Sequence, residues 1–246
     1  MARIPLPLPE EMSPEQRGVH DAVLAGPRGQ VIGPLRAVIH SPDLAARWSA
    51  LGEFLRYGTV LPRRLNELAI VVTGRRWSSQ VEWWVHARVA AEAGIPQAAI
   101  DAIHRGEPPV FADAEEALVY EFARQLQLSG TVPPAVYDAA RERWGARGVV
   151  ELTAVIGYYT MVSMTLNAHE IPLPDGVAPV LAAPADGLAP LAPAGPPAPA
   201  LPGVALPGVA LPGVALPGGA LPGVALPGGA LPGAASTGAA AEERTR

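Results

Sequence analysis

The sequence predicts an all-α domain followed by a tail without regular structure, and three observations carry that prediction. Up to about residue 171, apolar residues recur in segments of helical length punctuated by Pro and Gly. Strand-like alternation bounded by turn residues is hard to find there. Near residue 172 the composition shifts to Ala, Pro, Gly, Leu and Val, aromatic residues vanish, and charge nearly disappears until the terminal "EERTR". The expected organisation is therefore a helical domain over residues 1–175 and a low-complexity, disordered tail over residues 176–246.

Each helix is marked by its ends. Ser13, followed three residues later by Gln16, is a capping-box pattern that opens "SPEQRGVHDAVLAG", and Gly26 closes it. "GPRGQVIGPLRAVIHSPDL" reads as a loop and a short helix. Ser41-Pro42 opens "SPDLAARWSALGEFLRYG", which stops at Gly58, and Pro62 stands at the first turn of "LPRRLNELAIVVTG". "SSQVEWWVHARVAAEAG" runs to Gly94, and "PQAAIDAIHRG" to Gly106. Asp113, with Glu116 three residues on, caps "AEEALVYEFARQLQLSG". "PPAVYDAARERWG" and the long "VVELTAVIGYYTMVSMTLNAHEI" complete the set. The last of these is expected to be buried in the core or at a subunit contact rather than in a membrane, since it carries Glu151 and several hydroxyl residues. Residues 201–235 repeat an LPGVA-like pentad seven times, a run of Pro-Gly turns to which no catalytic role is assigned.

Composition excludes several chemistries. Up to Asp175 there are 16 arginines against 20 acidic residues, a net charge of −4, and the arginines are scattered, which argues against nucleic acid as a partner. The 246 residues contain no cysteine, so thiolate nucleophiles, disulfides and cysteine-based peroxide reduction are absent. All 18 basic residues are Arg, which excludes a lysine Schiff base. Prolines at 5, 7 and 9 interrupt the N-terminus, which lacks the apolar run of a signal peptide; a cytoplasmic protein without membrane partners is the expectation.

What remains is carboxylates, imidazoles, hydroxyls or a bound metal, and one stretch concentrates them. In "SSQVEWWVH", Glu82 and His86 lie four apart, on one helix face, with Ser79 one turn earlier. Ser79 and Glu82 alone make an S-x-x-E capping box, which needs no catalysis. His86 is left without such an explanation in a helix containing Trp83, Trp84, Val85 and Val89. Glu67 interrupts "LNELAIVV", a helix apolar nearly all the way round, and a buried carboxylate must be paired or hold a proton. Its partner is either Arg63 or Arg64 in a structural ion pair, or His86 in an acid/base cluster with Glu82. A metal site built from Glu67, Glu82 and His86 is a further alternative, although the spacing is not that of a known zinc motif. In a non-catalytic oligomeric scaffold the cluster would serve structure alone.

The pattern E-x11-S-x2-E-x3-H formed by Glu67, Ser79, Glu82 and His86 resembles the carboxymuconolactone decarboxylase and alkylhydroperoxidase-D superfamily. In its peroxidase branch two cysteines hold the places of Ser79 and Glu82; decarboxylase-type members lack them and read Glu-Trp and then His, as "EWWVH" does. Flanking segments such as "AGIPQAAIDAI" agree, and the likeness covers roughly residues 10–174. The resemblance implies a helical bundle of the alkylhydroperoxidase-D type. It also implies a carboxy-lyase without cofactor or metal, acting on γ-carboxymuconolactone or a related lactone acid. On that reading His86 donates the proton, Glu67 orients or tunes it, and Glu82 relays it. Arg56 holds a substrate carboxylate, with Ser79, Asn167 and His169 near the same pocket. A homo-oligomer, trimeric or hexameric, is implied too. A peroxidase or peroxiredoxin label would follow from the family name and not from this chain's residues.

Overall fold

Prolines and glycines set the limits of the helices in the computed structural model, which describes residues 1–27, 29–182 and 187–196. Helix α1 (Pro14–Ala25) starts on the expected capping box: Ser13 Oγ accepts from Gln16 N at 3.3 Å, and Gln16 Oε1 accepts from Ser13 N at 2.9 Å. The single turn α2 (Leu35–Val38) leads to α3 (Pro42–Tyr57), with Pro42 at its first position and Gly58 after its last. Pro62 precedes α4 (Arg63–Arg76), and Ser79 precedes α5 (Gln80–Glu92). Helix α6 (Gln97–Arg105) runs from Pro96 to Gly106, whose φ of 72° lies in the left-handed region that glycine enters without cost. Helix α7 (Ala114–Ser129) ends the same way at Gly130. Helix α8 (Pro134–Ala168) contains the two final helices read from the sequence, joined across Gly145, whose φ of 69° and ψ of 178° are not helical.

Helix α4 is the axis of the packing. Every residue from Leu65 to Arg75 is buried, as a helix apolar on all sides requires, and α5, α7 and α8 pack around it. Leu65, Leu68, Ile70 and Val72 are wholly inaccessible; burying each such side chain stabilises by about 1.5–3 kcal/mol relative to exposure. Helix α3 lies against α1, α2 and α8, and α6 against α4 and α5. Among the described residues α8 is the one helix long and apolar enough to cross a membrane, and 56% of its most apolar window is buried within the domain, as for a core helix.

Two local expectations are corrected. Ser79 makes no side-chain cap to α5, and Glu82 turns toward His86 instead of back toward the helix start. Asp113 does cap α7, accepting from Glu115 N at 2.7 Å, but Glu116 is drawn to Arg64 and closes no box.

The sequence reading ends the helical domain at Asp175. Among the described residues, the chain after it lies along the helices: Leu181, Ala189 and Leu191 are buried, and their neighbours' backbone groups find partners on the helical body. Gln80 Oε1 accepts from Val180 N and Leu181 N at 3.0 and 3.1 Å, Ala189 N donates to Arg76 O at 2.9 Å, and Tyr120 OH donates to Ala192 O at 2.6 Å. The compact unit that contains these residues extends from Met1 to Ala200. The pentads at 201–235, for which the sequence predicts disorder, lie outside the described residues.

Candidate active site

Helices α4 and α5 are consecutive and joined by a three-residue turn, Trp77–Ser79. Glu67 lies nine residues before the last residue of α4 and His86 six after the first of α5, so two helices that fold back on each other bring the two within about one turn of each other. The chain does fold back this way: His86 Nδ1 donates to Glu67 Oε2 at 2.6 Å. Along α5 the second ring nitrogen faces Glu82, four residues earlier, with Nε2 to Oε1 at 3.0 Å. Gly74 on α4 packs against Glu82, so the helices meet closely where the carboxylate is held.

All three side chains are buried, with Glu67 1% exposed. Burial by itself would disfavour the imidazolium; the charges of Glu82 and Glu67 and their hydrogen bonds outweigh it and lift the His86 pKa from 6.5 to about 9. At neutral pH the ring is therefore an imidazolium that donates at both nitrogens. The alternative partners of Glu67 are engaged elsewhere or make no pair with it: Arg64 binds Asp113, Glu115 and Glu116 at 2.8–2.9 Å.

A chamber of about 60 Å³ opens beside this cluster, walled by Glu82, His86, Arg56, Tyr158 and Tyr159. That volume holds a few water molecules or one carboxylate-sized group. Glu67 does not line it and stands behind His86, while Glu82 borders it. Arg56 arrives from α3, half-buried; the surface ion pair that would give it a plain structural role is absent among the described residues, where its guanidinium meets only the Tyr57 ring, at 5.6 Å. Tyr159 comes from α8, its ring edge-on to His86 with centroids 5.1 Å apart. Burial pushes the Tyr159 phenol well above its ordinary range, Glu82 adds to this and Arg56 opposes it, so the hydroxyl stays protonated. Sequence reasoning missed Tyr159; the aromatic pair in "GYYT" was its only signal.

Ser79 and Asn167 are not brought to the chamber. Ser79 Oγ is buried with no hydrogen-bond partner among the described residues and lines neither this cavity nor the larger one beside it. Asn167 lies eight residues beyond Tyr159 on α8, about 12 Å along the axis. There its Nδ2 donates to Trp77 O at 2.8 Å, and it lines a separate cavity. His169 follows α8 as its cap and borders no described cavity.

No protein-family model matches the sequence, and comparison with curated proteins yields no relative. Solved structures do match in fold. An uncharacterized peroxidase-related protein with an alkylhydroperoxidase AhpD core, from Ralstonia eutropha JMP134, superposes with a TM-score of 0.58 at 16% identity over 71% of this chain and 93% of its own. A peroxidase-related protein from Silicibacter sp. TM1040 gives 0.56 at 15% identity, over 70% and 91%. The debrominase Bmp8 gives 0.53 at 15% identity, over 66% and 87%. The helices here thus take up an architecture used by proteins of more than one activity. The chain has the all-helical fold of an alkylhydroperoxidase AhpD core, the type of bundle expected from the sequence.

Proposed function

We propose that the protein is a cofactor-free carboxy-lyase that acts on a carboxymuconolactone-type lactone acid by general acid/base catalysis. The observation that carries this reading is a buried imidazolium held between two carboxylates, one of which borders a chamber sized for a carboxylate. Fold alone does not choose a reaction, and the cluster is what supports this one.

In the reaction, the bond between the ring carbon and its carboxylate breaks, CO₂ leaves, and the electron pair passes into the conjugated lactone as a dienolate. Arg56 positions an acidic group at the chamber wall, and the Tyr159 hydroxyl supplies a donor for the developing oxyanion. His86 gives its Nε2 proton to Glu82, whose neutral carboxyl turns to deliver it to carbon, and Glu67 keeps the ring in register and favours its charged form. The imidazolium is then restored by a proton from water, and the hydroxide left behind combines with the released CO₂ as bicarbonate, so protons and charge balance over a turnover. With no cysteine in the chain, peroxide reduction through a sulfenic acid or disulfide has no residue to run on. A thiol-dependent peroxide assay is expected to show no turnover above a denatured control.

The test is incubation with a panel of γ-lactone acids while CO₂ release is followed. Release that drops about 10²–10⁴-fold in His86→Ala and in Glu82→Gln supports the assignment. No release from any member, or release unchanged by both substitutions, overturns it. The exposed apolar side chains Val150, Met161 and Met164 on α8 support a homo-oligomer built on that helix, which sedimentation of the full chain tests directly.

A further inference from the structure

The small chamber shares Ile32, Gly33, Arg56, Val81 and Val85 with a second cavity of about 490 Å³ on the α2 and α5 side. The outer cavity is basic: Arg36, Arg56 and Arg88 line it, and none of its lining residues is acidic. Arg36 and Arg56 are half-buried and, among the described residues, their guanidinium groups make no hydrogen bond or ion pair. A guanidinium withdrawn from water without a counter-charge is unfavourable, so a pair of them in one cavity is poised for an anion. Arg88 contributes a third charge, loosely held by Glu92 at 3.6 Å and lying over the half-buried Trp84 ring at 5.8 Å from its centroid. Trp84, Val85, Pro172 and Pro174 supply flat apolar walls.

Size separates this cavity from a simple extension of the chamber. Cavities of about 300–1,000 Å³ enclose ligands of drug-like size, whereas a single lactone ring with its acid substituents is far smaller. We propose that the outer cavity recognises the remote end of an elongated, amphiphilic organic acid. Arg36 and Arg88 bind a distal carboxylate, Trp84 stacks on a flat apolar body of fused-ring size, and the reacting end enters the chamber past Arg56. This deepens the carboxy-lyase reading by setting the substrate's length and second charge, and rests on that reading only for which end reacts. Arg36 and Arg88 are specificity determinants here and do not touch the reacting atoms.

The test measures binding and needs no turnover. The full chain is titrated with naphthalene-2,6-dicarboxylate, with the monoacid 2-naphthoate, with the neutral 2,6-dicarboxamide and with 2-naphthyl phosphate, by calorimetry and by quenching of tryptophan fluorescence. The diacid is expected to bind about tenfold tighter than the monoacid, as one additional charge-assisted bidentate contact provides. Arg36→Gln and Arg88→Gln are each expected to remove that advantage and leave monoacid binding unchanged, whereas Arg56→Gln weakens both acids. Melting temperatures confirm that the variants are folded, which is expected because neither Arg36 nor Arg88 is fully buried. Equal affinity for diacid and dicarboxamide, an advantage that survives Arg36→Gln, or no binding of any probe overturns the proposal. The naphthyl phosphate out-binding both carboxylates likewise overturns the carboxylate assignment. If diacid binding depends on Arg36 but no lactone acid releases CO₂, the recognition site stands and the carboxy-lyase reading falls; release of CO₂ from a compact lactone acid by a protein indifferent to Arg36 does the reverse.

Discussion

Two clusters of charge are anchored one turn apart on α4, and they differ in what their cations can do. Around Glu67, two carboxylates enclose His86. Around Arg64, the carboxylates of Asp113, Glu115 and Glu116 enclose a guanidinium, and Arg143 places a second on Glu115 at 2.5 Å. With every group ionised both clusters carry a net charge of −1, so charge count does not distinguish them. A guanidinium keeps its protons at any pH the fold survives, while an imidazolium can release one. The Arg64 side chain is 26% exposed and the His86 side chain 6%, and His86 borders a cavity. Carboxylates gathered around a cation are thus no mark of chemistry by themselves. A cation that can give up a proton, shielded from water and next to space for a ligand, is.

The largest expected difference between the clusters comes from deleting their cations. His86→Ala leaves two buried carboxylates facing each other and is expected to cost about 3–5 kcal/mol of stability. Arg64→Ala should cost less, about 1–2 kcal/mol, because solvent reaches that cluster and Arg143 remains on Glu115. Only His86→Ala should also abolish CO₂ release. Urea denaturation of the two variants side by side checks the order; an Arg64→Ala loss equal to that of His86→Ala would show the clusters to be energetically equivalent and break the comparison.

The pH response separates them next. The His86 pKa is raised in the folded protein, from 6.5 to about 9, so the folded state holds this proton more tightly than the unfolded chain does. The resulting stabilisation is fully present below pH 6.5 and is lost as pH rises through about 9. The gap corresponds to about 3 kcal/mol at most. No arginine titrates in that window, so the Arg64 cluster contributes no such slope. Denaturation midpoints at pH 6 and pH 10 should differ in the parent protein and lie closer together in Glu67→Gln, which keeps a hydrogen-bond acceptor but removes one of the two charges while Glu82 keeps the other. Equal slopes in both proteins would mean that the alkaline sensitivity arises elsewhere.

How much of this was legible in the sequence depended on how local the signal was. Pro42, Pro62, Gly106 and Gly130 act on their own backbone, and the helix limits they mark were readable. Glu67 was readable as needing a partner because it breaks an apolar helix, and His86 was a candidate because consecutive helices that fold back on each other would bring the two together. Arg36 was not, since a four-residue helix has no periodicity to place its side chain, and neither was the role of Arg64, whose three partners lie about 50 residues away. The docking of residues 177–182 and 187–196 was hidden by composition: Ala, Pro and Leu without a repeat suggest disorder, and contacts that hold them run to Gln80, Arg76 and Tyr120.

The smallest expected effect concerns the two helix starts next to the clusters. Asp113 caps α7 and also pairs with Arg64, so Asp113→Ala should lose about 1 kcal/mol or slightly more. Ser79 stands at the equivalent place on α5, yet its hydroxyl is buried without a partner among the described residues. Removing a buried hydroxyl that makes no hydrogen bond relieves a desolvation penalty of about 1–3 kcal/mol, offset in part by the small void left behind. Ser79→Ala should therefore leave stability unchanged or raise it by up to about 1 kcal/mol, opposite in sign to Asp113→Ala. Because Glu82 is committed to His86 and not to the helix start, the alkaline loss of stability should be untouched by Ser79→Ala. A loss near that of Asp113→Ala, together with a shifted alkaline midpoint, would show that Ser79 holds Glu82 in place and that the helix cap and the acid/base cluster are one unit.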